Sequence, residues 1–122
     1  MALARNIMKG GWSAGNAKAV NGAVATALTA AGTTLATALA LTADTNVIGT
    51  CASGAGVQLP SAEIGDSCEI YNGGANQCVV YPDAAANQIN AITAGSGFIL
   101  ATTTSCFCRK ITATRWIAFL SA

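Results

Sequence analysis

The feature that most constrains the fold is the alternation of apolar and polar residues in short segments separated by turns. In residues 67–71, Cys68 and Ile70 fall on one face, whereas Glu69 and Tyr71 fall on the other. A period of two residues is typical of a β-strand that buries one face. The segment therefore predicts a strand whose Cys68 face points into a core.

The next residues predict that this strand turns back on itself. Residues 72–77 are rich in Gly and Asn, which tolerate the positive φ angles of turns. Residues 78–81 are apolar on both faces and end at Pro82, which cannot donate to a β-ladder. We therefore expect a β-hairpin with strands near 67–71 and 78–81.

Similar short apolar runs recur from about residue 33 to about residue 120, with turn residues roughly every 8–12 positions. Such a series is typical of a β-sandwich or a β-barrel. Residues 23–31 have a helix as a competing interpretation because Ala favours helices, although the repeated Thr weakens it. The pattern therefore predicts an all-β domain without a confident long helix.

The start of the chain differs from the rest. Residues 1–23 are rich in Gly, Asn and Ala and show no sustained hydrophobic period. Such a segment cannot form its own core, so we interpret it as an N-terminal arm that precedes a domain of residues 24–122. An arm that docks on a neighbouring chain would use its Trp as the anchor, whereas the alternative is a tail without a partner. The candidate interface residues are Arg5, Lys9, Trp12 and Lys18.

The low charge of the chain favours an assembly. Charged residues make up 9% of the chain, whereas an ordinary soluble domain is about 25% charged. A free monomer usually keeps itself soluble with more charge, so we expect other subunits to shelter much of the surface. The net charge of +1 does not favour nucleic acid as a partner. Residues 1–43 carry +3 and residues 44–83 carry −5, so the two blocks could attract one another across a subunit boundary.

The cysteines favour packing over metal binding. The chain has five, Cys51, Cys68, Cys78, Cys106 and Cys108, together with no His and no CxxC motif. An odd number cannot all pair within one chain, and a zinc site normally needs closely spaced ligands. We expect the thiols to be buried and reduced, which is consistent with assembly in a cytoplasm.

Membrane insertion and catalysis are not predicted. Residues 24–43 lack charge and are long enough to cross a bilayer, but their many Ala and Thr residues contribute little to insertion. The commonest general base, His, is missing, and no GxSxG, SxxK or GxxxxGK[ST] motif occurs. Glu63 and Asp66 fit solvated loop charges better than a catalytic pair. We therefore expect neither enzyme activity nor a cofactor.

The order and spacing of several short motifs resemble a module of tailed-bacteriophage virion proteins. The resemblance covers about residues 32–120, and no single motif carries it alone. The motifs are TADTNV (42–47), GAGVQLP (54–60), GD (65–66), IYNGGAN (70–76), VYP (80–82), IN (89–90) and TRW (114–116). This chain departs from the pattern by placing Cys at strand positions where Val, Ile or Ala is usual.

The resemblance implies a fold and a function. It implies a compact antiparallel β-sandwich, jelly-roll-like, with an extended N-terminal arm. The implied function is that of a capsid decoration (cement) protein, which binds the outside of a phage head and stabilises the shell. The implied partners are the major capsid protein and further copies of this chain in a homotrimer. The alternative is a tail or tail-fibre component that contacts the host surface.

Overall fold

The computed structural model describes residues 22–121, which form ten β-strands and no helix. The predicted all-β class is therefore confirmed. The strands are β1 (Val24–Thr29), β2 (Leu39–Ala40), β3 (Thr45–Thr50), β4 (Gly56–Gln58), β5 (Ser67–Asn72), β6 (Cys78–Tyr81), β7 (Gln88–Ile89), β8 (Phe98–Leu100), β9 (Thr104–Thr112) and β10 (Arg115–Leu120).

From β1 to β6 the chain alternates between two sheets. Strands β1, β3 and β5 lie parallel to one another in sheet A, and strands β2, β4 and β6 lie parallel in sheet B. Each successive pair of strands is one coil of a β-solenoid, and the three coils stack on their neighbours.

Antiparallel strands follow the third coil. In sheet B, β8 is antiparallel to β6. In sheet A, β9 is antiparallel to β5, β10 is antiparallel to β9, and β7 lies parallel to β10 at the edge. The resulting orders are β1-β3-β5-β9-β10-β7 in sheet A and β2-β4-β6-β8 in sheet B.

The predicted antiparallel jelly-roll-like sandwich is wrong, because the sheets are mixed and the first six strands form a β-solenoid. Short strands separated by Gly- and Asn-rich turns are common to both architectures. The alternation shows which side chains face the core, but it does not show which strand lies beside which. From β1 to β6 each turn carries the chain to the opposite sheet, so the neighbour of a strand comes from the next coil.

The predicted hairpin is wrong for the same reason. β5 and β6 form near the predicted positions, but β5 pairs with β3 and β9, and β6 pairs with β4 and β8. The buried side chain of Asn72 shapes the corner between them. Its Nδ2 donates to the carbonyls of Asn76 and Leu100, both at 3.0 Å, and its Oδ1 accepts from the Gly74 amide at 3.0 Å. Asn76 Nδ2 donates to the Cys51 carbonyl at 2.9 Å, which holds this corner against the previous coil.

The uncharged segment of residues 24–43 forms two strands joined by a turn. β1 occupies most of the stretch in which a helix competed, so the helical alternative is wrong. At Ala27 the backbone adopts a φ of 55°, and the register with β3 shifts there. Such a bulge blunts an edge strand against pairing with other chains. Within residues 22–121, no helix is long and apolar enough to cross a membrane.

The core lies between the two sheets. Its largest side chain is Trp116, which is fully buried among aliphatic residues of both sheets. All five cysteines are buried and free, so their predicted burial is confirmed. They fill inward-facing strand and corner positions as small apolar side chains.

Candidate functional site

The coil stack has two unlike ends. Strands β1, β3, β5 and β10 begin at one end, and β9 finishes there because it runs antiparallel to β5 and β10. The loops before β5 and after β6 return to the same end. All eight charged residues of the described part lie at or near it: Asp44, Glu63, Asp66, Glu69, Asp83, Arg109, Lys110 and Arg115. This charged end has a net charge of −2.

The opposite end, here called the uncharged end, includes the corners at residues 50–55, 73–77 and 101–103. These corners contain Ala, Gly, Ser, Thr, Asn, Gln and one buried Cys, and no charged side chain. The two ends of the described domain therefore differ along the strand direction, because its charged side chains are confined to one end.

A buried ion pair joins the two sheets at the charged end. Lys110 Nζ lies 2.8 Å from Asp83 Oδ2, and the two side chains are 8% and 6% exposed. Lys110 Nζ also donates to the Ala62 carbonyl at 3.0 Å. Asp83 Oδ1 accepts from Asn87 Nδ2 at 2.6 Å and from Trp116 Nε1 at 2.9 Å. Because each polar group of this cluster has a partner, the cluster stabilises the contact between the two sheets and leaves none of its polar groups free to react.

The outer face of sheet A carries three aromatic side chains, and we call it the aromatic face. They are Tyr71 of β5, Phe107 of β9 and Phe119 of β10. Successive residues of a strand point to opposite faces, so the burial of Cys68 and Ile70 places Tyr71 outside. Tyr71 is 40% exposed and Phe119 is 62% exposed. Large side chains exposed together on one face mark a candidate contact surface.

A groove of about 310 Å³ runs across this face. The strand register places Thr45, Glu69, Phe107 and Phe119 in one row, and all four line the groove. The centroids of the two Phe rings are 6.5 Å apart, with an interplanar angle of 40°. The guanidinium of Arg109 lies 5.8 Å from the centroid of Phe107, within the range of a cation–π contact. The groove can therefore accept an aromatic ring beside a carboxylate.

Three of the buried thiols, those of Cys68, Cys78 and Cys108, are held in their protonated form. Burial, together with the neighbouring Cys106, raises the pKa of Cys68 to about 12. Burial also raises the pKa of Cys78 to about 12, with a contribution from Cys51. The hydrogen bond with Cys106, whose Sγ lies 3.8 Å from that of Cys108, and burial raise the pKa of Cys108. Because the thiolate is the reactive form, these side chains are poor nucleophiles and poor metal ligands.

We expect the thiols of the native protein to resist a water-soluble disulfide reagent at pH 8. Addition of denaturant should expose all five, because none is used in a disulfide. Counting the released chromophore before and after unfolding tests this expectation. A thiol that reacts rapidly in the native state would show that the core around it opens.

The interface residues predicted from the sequence, Arg5, Lys9, Trp12 and Lys18, lie outside the described residues. The loop charges Glu63 and Asp66 are exposed, and the Glu63 amide donates to Asp66 Oδ2 at 2.9 Å. The sequence reasoning did not assign the aromatic face as a surface. The alternation that placed Tyr71 opposite Cys68, and the pattern around Phe107, indicated that these aromatic side chains lie outside the core. That the rings lie on one common face depends on the pairing of β5, β9 and β10.

The described part of the chain brings together few groups that could perform chemistry. Within residues 22–121, no group of three or more Cys, Asp or Glu side chains has an arrangement that could hold a metal ion. In comparisons with known proteins, the chain matches no family model, no curated protein and no solved structure.

Proposed function

We propose that this protein is a capsid decoration protein of a tailed bacteriophage, bound to the outside of the head, where it stabilises the shell. The observation that supports the proposal most is the confinement of all the described charges to one end. A protein that sits on a surface needs one end that recognises the surface and another that faces away. Charged groups set the orientation and partner choice of such a contact more than its affinity.

The point at which the N-terminal segment joins the domain lies at the charged end. The Ala23 amide donates to Asp44 Oδ2 at 2.7 Å, which holds the residues that follow this segment beside Asp44. We propose that this end, with Arg5, Lys9, Trp12 and Lys18 of the arm, faces the major capsid protein. The uncharged end would then point away from the shell.

The proposed mechanism is binding without catalysis. A protein that binds the assembled shell more tightly than its separated subunits stabilises the shell by mass action. Many copies, each burying a modest area, add up to a large effect on the whole particle. Association into a trimer, which the resemblance implies, would multiply the contacts of each decorating unit.

The copy number of the protein in purified phage particles tests the proposal. We expect quantitative mass spectrometry to find it in a fixed ratio to the major capsid protein, and we expect it to remain with heads after the tails are removed. A few copies per particle, fractionating with tails, would overturn the proposal and favour a tail or tail-fibre component. Absence from particles would overturn both assignments.

A further inference from the structure

The aromatic face is apolar surface that the described residues leave largely exposed at Tyr71 and Phe119, although Arg109 lies over the Phe107 ring. Phe119 is 62% exposed and Tyr71 is 40% exposed, although apolar residues elsewhere on sheet A are buried against sheet B. A groove of about 310 Å³ lies between them, with Glu69 in its wall. An occupant that fits this groove needs an apolar or aromatic side chain and positive charge nearby.

Residues 1–21 of the same chain have this chemistry. They contain Trp12, three basic residues and no acid, which gives a charge of +3. The described part carries −2, and Asp44, Glu63, Asp66 and Glu69 are all exposed at the charged end. Opposite net charges therefore favour association between the segment and this end of the domain.

The segment joins the domain close enough to the groove for Trp12 to reach it. Val24 pairs with Thr45, Thr45 pairs with Glu69, and Glu69 pairs with Phe107. Three strand spacings thus separate β1 from the first aromatic ring, a distance of roughly 14 Å. The ten residues from Trp12 to Gly22 can span up to about 33–36 Å when extended. Trp12 of the same chain can therefore reach the groove.

We propose that, in the free protein, residues 1–21 dock on the aromatic face of their own chain, with Trp12 in the groove beside Phe107 and Phe119. The basic residues of the segment lie against Glu69 and Asp44. A tethered segment has an effective concentration in the millimolar range, which favours docking within one chain over docking between separate copies. Docking on the shell and docking in the groove then compete for the same segment.

Hydrogen exchange of the Trp12 indole N–H, followed by NMR in the full chain, tests the proposal. Docking should slow this exchange by about tenfold or more relative to a synthetic peptide of residues 1–21. Deleting residues 2–21 should shift amide resonances of β5, β9 and β10. Adding the peptide to the truncated protein should restore the shifts, whereas a peptide with Trp12→Ala should not.

Matched substitutions distinguish loss of docking from the effects that any surface substitution has on the exchange rate. Phe119→Gln removes a ring from the groove and should return the Trp12 exchange rate to that of the peptide. Ile99→Gln, which changes an exposed side chain of sheet B, should leave it slow. Glu69→Gln should speed the exchange several-fold at low salt, whereas Glu63→Gln should have a smaller effect.

Two results would overturn the proposal. Exchange of the Trp12 indole N–H as fast in the full chain as in the peptide would show that the segment does not dock. Exchange that slows only as protein concentration rises would show that a second copy, and not the segment of the same chain, covers the face. Both measurements use the free protein, so their results do not depend on whether the protein attaches to a phage shell.

Discussion

Replacing Asp83 with Asn is expected to lower the free energy of unfolding by about 3–5 kcal/mol. The carboxylate is the counter-ion of Lys110, whose side chain is 8% exposed. An amide at position 83 leaves the Lys110 charge buried without a counter-ion, and its single oxygen cannot replace both carboxylate oxygens, which accept from Lys110 on one side and from Asn87 and Trp116 on the other. For a domain of this size, such a loss should reduce the melting temperature by more than about 10 °C.

Two control variants identify the ion pair as the cause. Asp66→Asn changes an exposed carboxylate at the same end and should alter stability by less than about 1 kcal/mol. The double variant Asp83→Asn with Lys110→Met removes both charges, so it should be more stable than Asp83→Asn alone. Denaturant unfolding of the four proteins measures these differences. Equal stability of Asp83→Asn and the unchanged protein would contradict the importance of the pair.

The same carboxylate predicts how stability depends on pH. Burial alone would raise the pKa of Asp83, but hydrogen bonds from Asn87, Lys110 and Trp116 outweigh it and hold the pKa below its ordinary value. A carboxyl with a lowered native pKa stabilises the fold above the pKa of the unfolded chain, near 4. That contribution is lost as the pH falls through the native pKa. The difference between Asp83→Asn and the unchanged protein should therefore shrink in acid.

Deleting residues 2–21 is expected to abolish attachment to undecorated shells while leaving the domain folded. The deletion removes only residues outside the described part, and the core cluster begins at Ala30. The basic residues and Trp12 are the proposed contacts with the capsid protein, so their removal takes away both the charge pairs and the apolar anchor. Co-sedimentation with purified shells measures attachment, and thermal unfolding checks the fold.

A matched control replaces residues 2–21 with a Gly- and Ser-rich segment of equal length. This variant restores chain length without restoring charge or the aromatic side chain, so it should also fail to attach. Full attachment by the deletion variant would place the shell contact on the coil stack itself. That result would leave the docking of residues 1–21 in the free protein as a separate question, answered by the Trp12 measurements.

The local features of the fold could be predicted from the amino-acid sequence alone. The alternation in residues 67–71 correctly placed Cys68 and Ile70 inside and Tyr71 outside, because a strand presents successive side chains to opposite faces whatever lies beside it. The strand composition correctly predicted five buried cysteines. The all-β class followed from the same short-range pattern.

Which strands lie beside one another could not be predicted from the sequence, because it depends on contacts between distant segments. The turn between β5 and β6 contains Gly and Asn, which suit a hairpin, yet the side chain of Asn72 bonds to Leu100 and directs the chain to the other sheet. Strands far apart in the sequence pair with one another, and this pairing makes the fold a β-solenoid instead of the predicted sandwich. Lys110 meets Asp83 only through long-range packing, whereas Phe107 meets Phe119 across the consecutive antiparallel strands β9 and β10. Local patterns report the burial of each residue, whereas contacts between distant segments depend on how all the strands pack together.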